Sequence, residues 1–419
     1  MSTKPTTSIR KPHILISGAS IAGPVLAYWL NRASITATIV ERSPSLRSAG
    51  QGVDIRGPAR TVISRMGLES TIRSKVTHEF GLQFVDKNGV SKATFPMEEN
   101  GSSFTSDIEI IRGDLSEIFY NSTKETCQYI WDDYITKLEE VNEGVLVTFA
   151  RGKQRIFDLV VGADGLRSKT RRLVIPLPND GLKSLYQYAS YFAIPKQPQD
   201  DEWGKWYNAS RGRLILLRPD NIHESTTTRV FLSITDPNKT CKLVKHLEMT
   251  PEEQKRAWRE EMSDMGWEIE RVLDGMDKAP DYYMQEIAQI NPPQFYKGKF
   301  ALVGDAGYCP SPLSGMGTSS AILGAYHLAG ELGACKGNWE EGLRKYEEKM
   351  RPIVESVQQL PPGVPGLLNP QTEWGIAVMH RVLGLMSWRG LAGWLMSFLP
   401  HGDESLTQYE WSDGEDKSS

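Results

Sequence analysis

The polar start of the chain gives way at His13 to an apolar run, "HILIS", followed by a glycine-bearing turn. In the next stretch, "GASIAGPVLAYWLNRA", Ile21, Val25, Leu26, Trp29 and Leu30 recur at helical spacing. A second β-branched run, "TATIVE", ends at Glu41, so strand, glycine turn, helix and strand predict the first half of a βαβ unit. Downstream, "GPARTVISRMGL" and "GDLSEIFYNSTKET" carry helical patterns, and "LQFVDKNGVSKATF" predicts a hairpin turned on Asn88-Gly89. The stretch from Tyr134 to Gly165 predicts a small antiparallel meander that returns to a buried strand at Leu159 to Val161.

The pattern changes near Pro176. Strand-like runs "YQYASYFAIP", "GRLILLRP" and "TRVFLSI", with Trp203, Trp206 and Tyr207 between them, precede a charged helical stretch, "TPEEQKRAWREEM". They predict a second, mostly antiparallel unit, after which an α/β pattern resumes at "KFALVGDAG". The expected fold class is therefore α/β: a discontinuous Rossmann-like domain (1-75, 105-180 and 285-350), an inserted antiparallel-sheet domain (76-104 and 181-284), and a C-terminal helical segment (351-419) with a disordered acidic end. The Trp- and Met-rich tail, "WGIAVMHRVLGLMSWRGLAGWLMSFLP", is expected to pack across both domains, with weak contact to a membrane surface as the alternative.

Composition narrows the function classes. A chain of 419 residues exceeds one compact core and has room for a large cofactor. A net charge of -4 without a basic patch argues against a nucleic-acid partner. Cys127, Cys241, Cys309 and Cys335 have no C-x-x-C spacing, so reduced thiols and a cytoplasmic setting are expected. No signal peptide is expected, no apolar run reaches the roughly 18 residues of a membrane span, and no histidine pattern suggests a metal. The pattern does not specify an oligomeric state; a monomer is the expectation.

The chemistry concentrates in three turns. Gly18-Ala19-Ser20-Ile21-Ala22-Gly23 occupies the place of a G-x-G-x-x-G fingerprint, with Ser20 at the middle glycine, where a helix N-terminus offers N-H groups to a pyrophosphate. Glu41 closes the second strand, placed to accept ribose hydroxyls. "VVGADGLRSKTRR" puts Asp164 between glycines after a buried strand, and "ALVGDAGYCPSPLSGMGTSS" repeats that arrangement with Asp305. Such a glycine-lined acidic loop suits the middle of a long anionic cofactor.

These motifs, over roughly residues 12 to 350, resemble the single-component FAD-dependent aromatic hydroxylases, of the para-hydroxybenzoate hydroxylase type. Within that family the chain is most similar to the branch of the tetracycline-inactivating monooxygenases. The resemblance implies that Gly18, Ser20 and Gly23 hold the FAD pyrophosphate and that Glu41 and Arg42 hold the adenosine. It further implies that Asp164 serves FAD and the nicotinamide cofactor, and Asp305 the ribityl chain. Arg112, opening a helix in "IEIIRGDLSEIF", lies beneath the flavin by the same likeness, and Pro312, Gly315, Met316 and Gly317 lie against its ring. Asp54 and Arg56, in "GQGVDIRGPA", are the candidate catalytic pair, with a loop salt bridge as the alternative. The implied reaction consumes NADPH or NADH and molecular oxygen, forms a flavin C4a-hydroperoxide, and hydroxylates or epoxidises an aromatic or polycyclic small molecule of secondary metabolism. A flavin-dependent dehydrogenase or reductase, or a non-catalytic flavin-fold protein, shares the same loops. Phenolic substrates further need a base, which the sequence does not name. The chain departs from the family's pattern at Gly307-Tyr308, Ser319 and Gly324.

Overall fold

The computed structural model describes residues 11–46, 50–77, 79–97, 107–220, 226–238, 240–388 and 406–411. A six-stranded sheet forms the first unit, in the order Tyr296–Lys297, Phe300–Leu302, Leu159–Gly162, His13–Ser17, Thr36–Glu41, Gln128–Trp131. Its neighbours pair in parallel except for the hairpin joining Tyr296–Lys297 to Phe300–Leu302. The central strand is covered on both faces: Ile14, Leu15 and Ile16 are fully buried, each side chain contributing about 1.5–3 kcal/mol. That explains its unbroken apolar run, where a half-exposed strand alternates.

Two helices pack together on one face, Ala22–Arg32 and Gly317–Ala334. The second is apolar almost all round and buried almost throughout, which places it at the centre of the unit. A three-stranded meander, Ile135–Val141, Gly144–Phe149 and Arg155–Phe157, covers the other face around Val145, Val147 and Phe157.

The second unit is a seven-stranded sheet, ordered Tyr283–Ile290, Leu182–Pro195, Thr227–Thr235, Arg213–Pro219, Trp203–Ala209, Gly81–Val85, Ser91–Pro96. All its pairings are antiparallel except that of Trp203–Ala209 with Gly81–Val85. Helices Pro251–Met262 and Ile269–Lys278 close one face over Trp258, Val272 and Met276. The first of them opens on the capping box formed by Thr250 and Glu253. The boundary at residue 284 falls inside Tyr283–Ile290, a strand that pairs along its length with Leu182–Pro195.

The tail divides its contacts. Helix Glu373–Trp388 packs on the edge strand Ser91–Pro96, with Ser387 Oγ donating to Thr94 O at 2.7 Å. Residues 406–411 lie instead against the first unit, which corrects the expectation of a disordered acidic end for these residues. Their anchors are aromatic: Trp411 sits 4.6 Å from the Trp29 ring, and Tyr409 donates to Glu331 at 2.8 Å. Among the described residues no helix is long and apolar enough to cross a membrane.

Candidate active site

The expected turn at Gly18 forms as the sequence requires. Gly18 has φ of +115°, donates to Val40 O at 2.8 Å, and passes Ala163 so closely that a Cβ would lie 2.5 Å from its carbonyl oxygen. Gly23 is equally constrained, because a Cβ there would lie 2.0 Å from Gly18 O. Helix Ala22–Arg32 has no side-chain cap and no acidic residue in its first turn, so its N-terminal donors remain available to an anion. Ser20, in place of the middle glycine, accepts from Arg112 Nη2 at 3.2 Å and lies 3.3 Å from Ser116 Oγ. Arg112, expected to begin a helix beneath the flavin, thus docks onto this turn from the start of helix Arg112–Asn121.

A cavity of about 900 Å³ runs between the two units. Its walls include Ser20, Arg112, Asp305, Pro312, Gly315, Met316 and Gly317, so the structure brings these expected cofactor residues to one space. Asp54 and Arg56 line it as well, joined by Arg56 Nη2 to Asp54 Oδ2 at 2.9 Å. The backbone N-H of Arg56 donates to Ser319 Oγ at 2.9 Å, which gives that departure from the family's pattern a holding role.

Five expected residues lie outside the cavity wall: Gly18 and Gly23 beneath the turn, and Glu41, Arg42 and Asp164. Glu41 accepts from Ala19 N and Ser43 N, both at 3.0 Å, at the edge beside the turn, and Arg42 is exposed. Asp164 is turned into its own helix: Oδ1 receives Ser168 Oγ at 2.5 Å, and Oδ2 receives Thr170 N at 3.0 Å and Thr170 Oγ1 at 3.1 Å. Its neighbours Ala163, Gly165 and Leu166 face the cavity in its place. Arg171, buried to 1% exposure, then ties the two acidic loops together, with Nη2 on Leu166 O and Nη1 on Ala306 O, both at 2.7 Å. Burial lowers its pKa, and its carbonyl partners spread the cost of the buried charge.

The loops fit a flavin. The Ser311 hydroxyl is buried without a hydrogen-bond partner in the loop, at φ of +77°. A Cβ on Gly165 would meet no protein atom within 4 Å, and one on Gly315 would approach only Asp54 Oδ2 at 3.7 Å and Arg56 Nε at 4.0 Å. The loops therefore leave open space beside Gly165 and Gly315 that a bound group can enter. Cys309, on the same loop, is buried and its thiol is pushed up by desolvation, consistent with an inert core thiol.

The opposite wall is aromatic. Tyr191 and Tyr283 stack with centroids 4.9 Å apart, and Phe84, Trp206 and Phe231 continue that wall. Tyr207, in contrast, belongs to the core, where its hydroxyl donates to Met265 O at 2.5 Å, and Trp203 lies edge-on to Phe80. Where the two walls meet lies a charged cluster that sequence reasoning missed. Arg218 donates to both oxygens of Glu79 at 2.7 and 2.9 Å and to Glu109 Oε2 at 2.5 Å. Desolvation first, then Glu79 and Asp54, push the Glu109 carboxyl well above the usual carboxylate range, against the pull of Arg218. The signal was a lone carboxylate in the apolar run Ile108-Glu109-Ile110-Ile111. No group of metal-ligating side chains occurs among the described residues.

Comparison with known proteins agrees with this geometry. Residues 11–360 match the family described as FAD binding domain. A monooxygenase of Cercospora beticola, CTB7, is 35% identical over 395 residues, covering 90% of this chain and 93% of its own. A flavin-dependent monooxygenase of a Phoma species, eupH, is 34% identical over 401 residues, covering 88% and 91%. The crystal structure of the tetracycline destructase Tet(55) superimposes with a TM-score of 0.77 at 31% identity, covering 95% of this chain and 99% of that one. The glycine turns, the shared cavity and these relatives place the chain in the FAD-dependent, aromatic-hydroxylase-like monooxygenase family.

Proposed function

We propose that this protein is an NAD(P)H-consuming monooxygenase of secondary metabolism that hydroxylates or epoxidises a hydroxylated aromatic or polycyclic small molecule. One observation carries the reading: the flavin loops and the stacked Tyr191–Tyr283 wall line the same cavity. The destructase likeness supports a polycyclic substrate. Bound FAD would supply electron transfer from the nicotinamide cofactor to oxygen and delivery of one oxygen atom to the substrate.

The chain's own residues bind, orient and exclude water. The N-terminus of Ala22–Arg32, with Ser20 and Arg112, would hold the pyrophosphate, and Glu41 the adenosine ribose. Asp305 would take the ribityl hydroxyls, and the Pro312–Gly317 backbone would stabilise negative charge at the ring. Asp164 acts through position, holding the loop that presents Gly165 and Leu166. The aromatic wall presents a flat apolar surface, against which a planar substrate is held within reach of the flavin ring.

The test is NADPH or NADH oxidation by the purified protein against phenolic and polycyclic compounds, with oxygen uptake and product mass recorded. Coupled oxygen uptake with one added oxygen atom in the product is expected. Nicotinamide oxidation without oxygen in any product would instead identify a dehydrogenase or reductase.

A further inference from the structure

We propose that Glu109 is the proton acceptor for a phenolic hydroxyl of the substrate, with Arg218 holding the resulting phenolate. This rests on the monooxygenase reading and supplies the base that the sequence left unnamed.

Placement carries the inference. Gly52 pairs with Ile111 and Asp54 with Glu109 across the short ladder that brings the flavin side of the cavity to the aromatic side. A Cβ at Gly52 would lie 2.2 Å from Glu109 Oε1, so the missing side chain is what lets this carboxylate reach its place. Asp54 touches the flavin loop, with its Oδ2 3.7 Å from where a Gly315 Cβ would lie. Glu109 and Arg218 line the cavity, whereas Glu79, 3% exposed, lies behind Arg218 and outside the wall.

Bonding leaves two positions open. Glu109 Oε2 is held by Arg218, and Oε1 receives no hydrogen bond from a described residue. Arg218 commits Nε and Nη2 to the two glutamates, while Nη1 has no partner among the described residues and the side chain keeps 25% exposure. One carboxylate oxygen and one guanidinium nitrogen are therefore uncommitted, on two residues that both line the cavity. A phenol seated there donates its O-H to Oε1, and its oxygen accepts from Nη1.

The step balances without any redox partner. The phenol O-H bond breaks, the proton forms an O-H bond on Glu109, and the electron pair stays on the phenolate oxygen beside Arg218. Cluster and substrate together keep the same charge, and the negative charge moves into the ring, which becomes a better nucleophile toward electrophilic oxygen. Charged groups around Glu109 are Arg218 and Glu79, Asp54 with its partner Arg56, and Arg229, next to Arg218 across the sheet and bound to Asp220 and Asp281. Burial holds the Glu109 carboxyl well above the ordinary carboxylate range, toward the range where a base for phenols works best.

The probe is alizarin, whose colour reports the ionisation of its phenol, added to FAD-loaded wild type, Glu109→Gln and Glu109→Asp across a pH series. Wild type is expected to bind phenolate at a pH below that of the free dye. At a pH where Glu109 is ionised, dye bound as phenolate is expected to release no proton to the medium in wild type and one in Glu109→Gln, with Glu109→Asp behaving as wild type. With a turned-over phenol, a rise of kcat/KM with pH, displaced above the ordinary carboxylate range, is expected in wild type and lost in Glu109→Gln. Absence of bound phenolate in wild type overturns the assignment even if the glutamine variant does not fold, and so does a wild-type pH profile in Glu109→Gln. Product mass is scored separately: bound phenolate with no oxygen insertion refutes the monooxygenase reading and leaves the proton acceptor standing, and oxygen insertion with unchanged ionisation does the reverse.

Discussion

Gly324→Ala tests why two departures from the family's pattern occur together. A Cβ at position 324 would lie 1.7 Å from the Tyr308 hydroxyl oxygen and 2.9 Å from Cζ. The Tyr308 ring has no route of retreat: it is fully buried, packed against Phe295, and shares a hydrogen bond of 3.0 Å with Tyr346. Tyr346 is itself fixed by donating to Leu302 O at 2.8 Å. Overpacking of this kind costs about 3 kcal/mol at the upper end of its range, and replacing glycine by alanine inside a helix returns about 1 kcal/mol. The net expectation is a loss of about 2 kcal/mol, seen in urea unfolding at saturating FAD and as a thermal midpoint lower by about 4 °C. In a Tyr308→Leu background the clash is gone, so Gly324→Ala should become stabilising by about 1 kcal/mol, a coupling of about 3 kcal/mol across the pair. If the two substitutions are additive, or Gly324→Ala alone stabilises as helix propensity would have it, the paired-departure reasoning is wrong.

Glu41→Gln removes a charged acceptor worth about 1.5–3 kcal/mol, so FAD affinity, measured by quenching of flavin fluorescence, should fall roughly 10- to 100-fold; an unchanged affinity would remove Glu41 from the site. His327 is buried beside Tyr409, and desolvation, then Lys349, lower its pKa to about 4. Its folded value lies below the unfolded one, so its contribution is complete above about pH 6.5 and is lost as pH falls toward 4, on the order of 3 kcal/mol in all. His327→Gln should flatten that part of the stability-pH curve, and a curve of unchanged slope would contradict the assignment. Truncation after residue 405 uncovers Trp29 and Glu331 and should cost about 2–4 kcal/mol in urea unfolding, whereas unaltered stability would mean that Tyr409 and Trp411 contribute nothing.

The parts of the site that were legible in the sequence are those fixed by backbone geometry. Gly18 and Gly315 turn the chain at positive φ, Gly23 leaves no room for a side chain against Gly18, and the strand before the first turn is an unbroken apolar run. The sequence placed Asp164 in its loop but not its local partners, Ser168 and Thr170, four and six residues on, which bind its side chain. The lone Glu109 in its apolar run hinted at the cluster, but its partners could not be read, because Glu79 lies on a loop and Arg218 on Arg213–Pro219, far away in sequence. Residues 406–411 were misjudged because acidic neighbours set the composition, while Leu406, Tyr409 and Trp411 set the packing.

The central claim is that sequence-distant glycine turns form one flavin cradle. Its most direct test is the flavin content of the purified protein and of Gly315→Val, whose side chain would enter the space beside Asp54 and strain a residue at φ of +64°. Wild type should carry stoichiometric FAD with its visible absorbance, and the variant should fold with little or none. Colourless wild-type protein that takes up no added FAD, or full flavin in the valine variant, would contradict it.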